Sequence, residues 1–320
     1  MRGALPFLLA LAADALLGDP PAWPHLVRWL GQAIQGLEDW LRRRYFSPAE
    51  LRLAGVALAM VVVGGAWLAA HVALAVAAGA WKVLGVFLAS LLAFQCLAAG
   101  QLWREARAVA RPLSEGDLEL ARRRLAMIVG RDTARLDEQG VARALIETMA
   151  ENYNDGVVAP LFFLALGGAP LAVAYKAVNT LDSMVGYNNQ RYADLGRASA
   201  RLDDACGYLP ARLSALLLAA ACPLLGLAAG QSWSTARSDH GRHKSPNSGW
   251  PEAAAAGALG VRLGGPNYYG GVLVDKPWIN PQGRQATLAD VAAMQRLLLL
   301  ASALAGGLGL GLVWLVRGWV

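Results

Sequence analysis

Glu147, Glu151 and Asp155 stand four residues apart in RALIETMAENYNDGVVAP, a spacing that on a helix stacks three carboxylates along one face. Like charges so placed repel, and a bound cation relieves the repulsion. Mg2+ suits this role because it is a hard ion that prefers carboxylate and water oxygens. The bland alternative is a solvated face tethered by Arg143, four residues before Glu147. The neighbourhood favours chemistry. Asn152, Asn154, Asn179, Asp182, Asn188, Asn189, Arg191, Asp194, Arg201, Asp203 and Asp204 crowd the run from Arg143 to Asp204, flanked by segments apolar enough to be buried.

A second polar cluster is SDHGRHKSPNSG, where His240 and His243 neighbour Lys244, Ser245 and Asn247. Lys, Arg, Ser and the amides near Gly241 and Gly249 are groups that cradle phosphate, although a loop histidine is more often simply solvated. Familiar nucleotide and metal devices are absent: there is no GxxxxGK[ST], no GxGxxG and no HExxH. NDGVVAP opens like a DGxxAR phosphotransferase signature but has Pro160 where the arginine belongs. LDDACG lacks the third carboxylate of a DDxxD site.

These residues must be positioned by elements that are largely apolar. The 320-residue chain is 56% hydrophobic and 16% charged, with a mean hydropathy of +0.37, and its apolar residues come in long blocks that read as membrane spans. The net charge of +6 follows arginines clustered just beyond those blocks, as topology determinants do, so it points to the membrane and not to nucleic acid. Cys96, Cys206 and Cys222 show neither zinc nor disulfide spacing.

The patterning predicts an all-α polytopic membrane bundle in a single domain, 1–320, with about four to six spanning or re-entrant segments. The N-terminus has signal-peptide features, but Asp14 interrupts its apolar region, and it reads as a retained first helix, 3–17. An amphipathic piece near 26–41 presents Trp29 and Trp40 to a lipid interface. Further candidate spans are 53–79, 83–103, 156–178, 210–230 and 297–316. Of these, 156–178 is broken by Pro160, Gly167, Gly168 and Pro170 and reads equally as a span, a re-entrant segment or a buried hairpin. The arginine-rich loop 104–155 is helical and, by the positive-inside rule, cytoplasmic, as is 18–52. Were every candidate to span, the loop 176–210 would fall outside the cell and split one site across the membrane. Between the last two spans, a polar loop precedes a short small-residue helix.

At LGDPPAWPHLVRWLG, ENYNDGVVAPLF, YKAVNTLDSMVGYNNQRY, SARLDDACGYLPARL and SPNSGWPEAAAAGALGVRLGGPNYYGG, the chain resembles the cobinamide-phosphate synthase family of cobalamin biosynthesis (CbiB/CobD), over almost its whole length. The resemblance implies a multi-pass protein of the cell inner membrane with its active site toward the cytoplasm. It also implies an ATP- and Mg2+-dependent enzyme that joins adenosylcobyric acid to (R)-1-amino-2-propanol or its O-phosphate through a new amide bond. The resemblance implies that the family's characteristic positions fall on Asp19, Pro20, His25, Arg28, Glu147, Glu151, Asn152, Asp155, Asn179, Asp182, Tyr187, Arg191, Tyr192, Arg201, Asp203, Asp204, Arg212, His243, Ser245, Asn247 and Glu252. Tyr153 and Asn154 stand where Thr and Ser are expected, Asn188 where Lys is, and Lys244 where Pro is.

Amide synthesis from a carboxylate needs its oxygen made a leaving group, commonly as an acyl phosphate, with Mg2+ neutralising phosphate charge. On that chemistry Glu151, Asp155, Asp182, Asp203 and Asp204 are the expected metal residues. Arg191 and Arg201 offset developing charge, and Lys244, Ser245, Asn247, Asn152 and Asn179 hold the nucleotide. Glu147 or His243 takes the proton of the attacking amine, and the sequence leaves both open. Expected partners are the corrinoid, the amine and the bilayer, without nucleic acid and with homo-oligomerisation left open. A membrane transporter is the alternative from another class, because Pro- and Gly-broken apolar segments also line carrier pathways.

Overall fold

The computed structural model describes residues 3–20, 23–187 and 189–317; Arg2 of the signal-like N-terminus and Asn188 lie outside the described residues. In chain order the helices are α1 (Ala4–Leu17), α2 (Leu26–Arg42), α3 (Pro48–Ala80), α4 (Lys82–Phe94), α5 (Ala99–Ser114), α6 (Leu118–Leu125), α7 (Glu138–Tyr153), α8 (Ala159–Gly167), α9 (Ala169–Val185), α10 (Arg197–Ala221), α11 (Ala229–Asp239), α12 (Gly249–Leu259) and α13 (Leu288–Arg317). The only described strands form two short antiparallel ladders, β1 (Leu263–Gly264) with β4 (Trp278–Ile279) and β2 (Asn267–Tyr269) with β3 (Val272–Val274). The architecture is all-α, as the patterning predicts. The chain divides into two compact units. One comprises Met1–Ala98, Ala159–Gly207 and Gly306–Val320, and the other Ala99–Val158 and Tyr208–Ala305.

In the first unit, SPAE starts α3 with a capping box: Ser47 Oγ accepts from the Glu50 amide while Glu50 reaches back to the Ser47 amide, and Pro48 opens the helix. α2 is amphipathic, burying Leu30, Ile34 and Leu41 while Trp29 and Trp40 remain about half exposed. The predicted span 83–103 is interrupted. α4 ends at Phe94, and buried Gln95 just beyond it turns its side-chain amide onto the start of α2, with Oε1 accepting from the Leu26 amide at 2.8 Å and Nε2 donating to the Pro24 carbonyl at 3.3 Å.

Four stretches are long and apolar enough to cross a membrane: Pro48–Ala80, Lys82–Ser114, Arg197–Leu225 and Leu288–Leu315. α1, with 14 residues, is shorter; at 1.5 Å per residue it reaches roughly 21 Å against a hydrocarbon core of about 30 Å. The 156–178 segment resolves into a helical hairpin, α8 and α9, broken at Gly168 with φ 73° and buried along most of its length. The predicted loop 176–210 shrinks accordingly, since Asn179 and Asp182 lie on α9 and Arg201, Asp203 and Asp204 on α10. The apolar run at 210–230 is also reframed: α10 begins at Arg197, ends at Ala221, and α11 starts at Ala229.

The second unit constrains topology. Its two chain segments meet at Asp132, which accepts the Gly270 and Gly271 amides at 3.1 and 2.7 Å, and at Glu151, which accepts from Ser248 Oγ at 3.1 Å. Segments in polar contact lie on one side of a bilayer, so the chain between Asp155 and Ala229 crosses it an even number of times. α8, α9 and α10 lie in that interval, so an even number of them crosses. Cysteines placed at exposed Gly130 and exposed Lys244 are expected to react with an impermeant thiol reagent from the same face of oriented vesicles. Labelling from opposite faces would overturn the shared-side arrangement.

Candidate active site

α7 begins where Asp137 accepts the Gly140 amide at 2.7 Å, an N-cap that sets the helix phase. That phase buries Glu147, which is 4% exposed. Its carboxylate pairs with Arg131, approaches Arg143 Nε at 3.9 Å and accepts the Gly264 amide at 2.6 Å. Both arginines also donate to Asn267 Oδ1 at 3.3 Å, and Arg143 lies over the Trp278 ring at 5.0 Å. The YYGGV turn makes this possible, because Gly270 and Gly271 both take positive φ, folding the β2–β3 hairpin back onto Asp132. Burial works against the Arg131 charge, but Glu147 outweighs it and holds the guanidinium pKa above its ordinary value. Arg143 is pulled below its ordinary value by burial, partly offset by Glu147.

The tethering of the acidic stripe by Arg143 is therefore realised at Glu147, with Arg131 as the stronger partner. The stripe itself does not persist as three stacked carboxylates. After Tyr153 the helix widens into a π turn over Asn154–Val158, which shifts Asp155 out of strict i, i+4 register. Asp155 accepts from Asn154 Nδ2 at 2.7 Å, and Asn154 Oδ1 accepts from Ser214 Oγ at 3.0 Å.

Beyond Glu151 lies the 243–252 segment. His243 Nδ1 is 3.0 Å from the Ser245 N–H and 3.3 Å from the Ser245 carbonyl. The amide satisfies a bare Nδ1 and the carbonyl a protonated one, so this ring edge is held in either state. Nε2 lies 3.6 Å from Glu252 Oε1. Ser245 Oγ accepts the Asn247 and Ser248 amides at 3.3 and 3.2 Å, ordering the entry to α12. Burial lowers the His243 pKa, against the carboxylates of Glu151 and Glu147. Glu252 is raised well above the usual carboxylate range, first by burial and then by Glu147 and Glu151, with Arg131 and Lys276 opposing. The pair therefore favours a neutral imidazole beside a protonated carboxyl.

Of the residues expected from the sequence, the second unit gathers Glu147, Glu151, Asn152, Asp155, His243, Lys244, Ser245 and Asn247. Asn179, Asp182, Arg191, Arg201, Asp203 and Asp204 belong to the first. Asn152 and Lys244 are exposed, whereas Asn247 is buried. Arg191 is committed to buried Glu38 on α2 at 3.0 Å. The carboxylate set Glu151, Asp155, Asp182, Asp203 and Asp204 is not a preformed cage: among the described residues, no group of three or more His, Cys, Asp or Glu side chains is placed to hold a metal ion. Mg2+ commonly takes one or two carboxylates and fills its remaining positions with water and substrate phosphates, and Glu151 and Asp155 are the two expected metal residues that lie in the second unit. Sequence reasoning assigned no role to Arg131, Asn267 or Lys276, which no motif spacing connects to Glu147; the PNYYGG turn was the only local signal that a hairpin would bring them in.

Removing the Glu147 carboxylate strands two buried arginines. Glu147→Ala is expected to cost about 3–5 kcal/mol, measured by denaturation in detergent; a loss below about 1 kcal/mol would show that the cluster does not hold the unit together. The raised pKa of Glu252 gives a signed pH dependence. Its protonated form is favoured by the fold, so that stability is fully present below the ordinary carboxylate pKa and is lost as pH rises through the raised value. Glu252→Gln keeps the neutral shape, so it should flatten the alkaline decline of unfolding temperature, and an unchanged slope would contradict this.

The protein-family model described as "CobD/Cbib protein" matches residues 7–298. The "Cobalamin biosynthesis protein CobD" of Klebsiella pneumoniae subsp. pneumoniae is 48% identical over 313 residues, covering 98% of each chain. The "Cobalamin biosynthesis protein CbiB" of Salmonella arizonae is 48% identical over 301 residues, covering 94% of each, and that of Salmonella typhimurium is 46% identical over the same length. No solved structure matches the chain.

Proposed function

Since the chain belongs to the CobD/CbiB protein family, we propose that it serves cobalamin biosynthesis as an amide-forming ligase of the cell inner membrane. It joins a corrinoid carboxylate to aminopropanol or its phosphate ester, at the expense of ATP, at a cytoplasm-facing site. The relatives are named for biosynthesis, and nothing in them favours the carrier reading.

The observation that supports the reading most directly is the division of labour around His243. Glu147 is a poor base, because its oxygens already serve two arginines and an amide. His243 is the better one: its pKa is lowered by burial, so the ring is neutral near pH 7. Its Nδ1 edge is anchored by Ser245 and its Nε2 is left to exchange a proton. An attacking ammonium must lose a proton to become a nucleophile. Nε2 takes it, and the nearby Glu151 and Glu147 carboxylates stabilise the resulting imidazolium. Glu252 acts as a positioning residue for the ring. Arg131 and Lys276, whose positive charges oppose the rise of the Glu252 pKa, supply positive potential for phosphate and for a carboxylate becoming an acyl phosphate.

Glu151 and Asp155 would hold Mg2+, which when bound neutralises nucleotide phosphate charge and favours transfer of the terminal phosphoryl group. Lys244, Ser245, Asn247 and Asn152 lie along the same segments as nucleotide contacts.

Purified protein in detergent should consume ATP only with corrinoid and amine both present, and a corrinoid carboxylate labelled with heavy oxygen should pass one label to inorganic phosphate. Label found in AMP would replace the acyl phosphate with an adenylate. His243→Gln is expected to lower kcat by about 100-fold or more, the range of general-base catalysis, and to remove the acidic limb of the pH–rate profile. A retained acidic limb would exclude His243 as the base.

A further inference from the structure

We propose that the first unit carries a binding site for a phosphate-ester anion, formed by the start of α3, residues 186–187 and 192–194 and the start of α10, in addition to the amide-forming site. An open cavity of about 540 Å3 lies there, lined by Arg52, Tyr187, Tyr192, Asp194, Arg197 and Arg201. Asp194 is the one acidic side chain lining it among the described residues, and Arg52 takes it up at 2.6 Å. Arg197 and Arg201, one helical turn apart on α10, have no hydrogen bond or ion pair to any described residue. Two guanidinium groups therefore face the cavity uncompensated, at the positive end of the α10 dipole.

The walls are fixed in advance. A Cβ on Gly196 would run into the Val185 carbonyl and one on Gly55 into the Leu195 carbonyl, so the turn is packed backbone to backbone on both sides. Tyr192 is held between the guanidinium groups of Arg42 and Arg191 at 5.3 and 5.2 Å from its ring centroid. Guanidinium forks match phosphate oxygens bidentately. A volume of this size admits an organic group besides the phosphate, and Tyr187, 57% exposed, offers it an aromatic face.

The phosphate can come from a soluble ester or from a phospholipid head group, since Arg52 and Arg197 both sit within the first two turns of span-length apolar helices. The test uses the full chain in detergent, with unfolding temperature as the readout. One arm adds inorganic pyrophosphate against chloride at matched ionic strength; the other adds phosphatidylglycerol against phosphatidylcholine in mixed micelles. At least one phosphate probe should raise the wild-type midpoint by about 3 °C or more. Arg197→Gln/Arg201→Gln should lose the rise, and Arg197→Lys/Arg201→Lys should keep part of it. A pyrophosphate response alone identifies a soluble ester, and a phosphatidylglycerol response alone a lipid head group. No wild-type response to either probe, or an equal response in the glutamine double variant, overturns the proposal.

Discussion

The buried carboxylate of Glu147 is the constraint on which the second unit depends. In a low-dielectric interior a lone carboxylate is prohibitively costly, so its presence on α7 forces Arg131, Arg143 and the Gly264 amide to converge. Those three partners come from the α6–α7 connection, from α7 and from the stretch after α12. Satisfying one charge therefore assembles parts of the chain separated by more than a hundred residues.

That assembly sets the electrostatics of what surrounds it. Glu147 is neutralised by arginine, Glu252 favours its protonated form, and Glu151 accepts from a serine hydroxyl. Carboxylates that look alike in the sequence thus take different roles: one is a structural ion-pair partner, one a proton holder that positions His243, and one an accessible anion. Environment, not residue type, separates them. The lowered pKa of His243 belongs to the same arrangement, because a histidine buried beside a protonated carboxyl gains little from being charged.

The membrane-facing organisation carries a comparable economy. The side chain of Gln95, just after α4, satisfies backbone groups at the start of α2, and buried Glu38 ties α2 to the turn after α9 through Arg191. Polar side chains in apolar surroundings are here the joints between helices, consistent with the high cost of leaving them unsatisfied.

Much was legible in the sequence. Uninterrupted apolar blocks fixed the all-α membrane class, since only helices of that length satisfy their own backbone in lipid, and the amphipathic pattern around Trp29 and Trp40 marked α2. Long ordered motifs carried the family. Tertiary structure alone decided the fate of individual charges. The spacing of Glu147, Glu151 and Asp155 read as an open acidic stripe because periodicity reports which residues share a face, not which distant groups pack against it. Arg131 and Gly264 reach Glu147 only after the hairpin closes, and the π turn that displaces Asp155 leaves no mark in hydrophobic patterning. The broken segment at 156–178 was undecidable for the same reason: burial of a helical hairpin depends on neighbours that local sequence does not name.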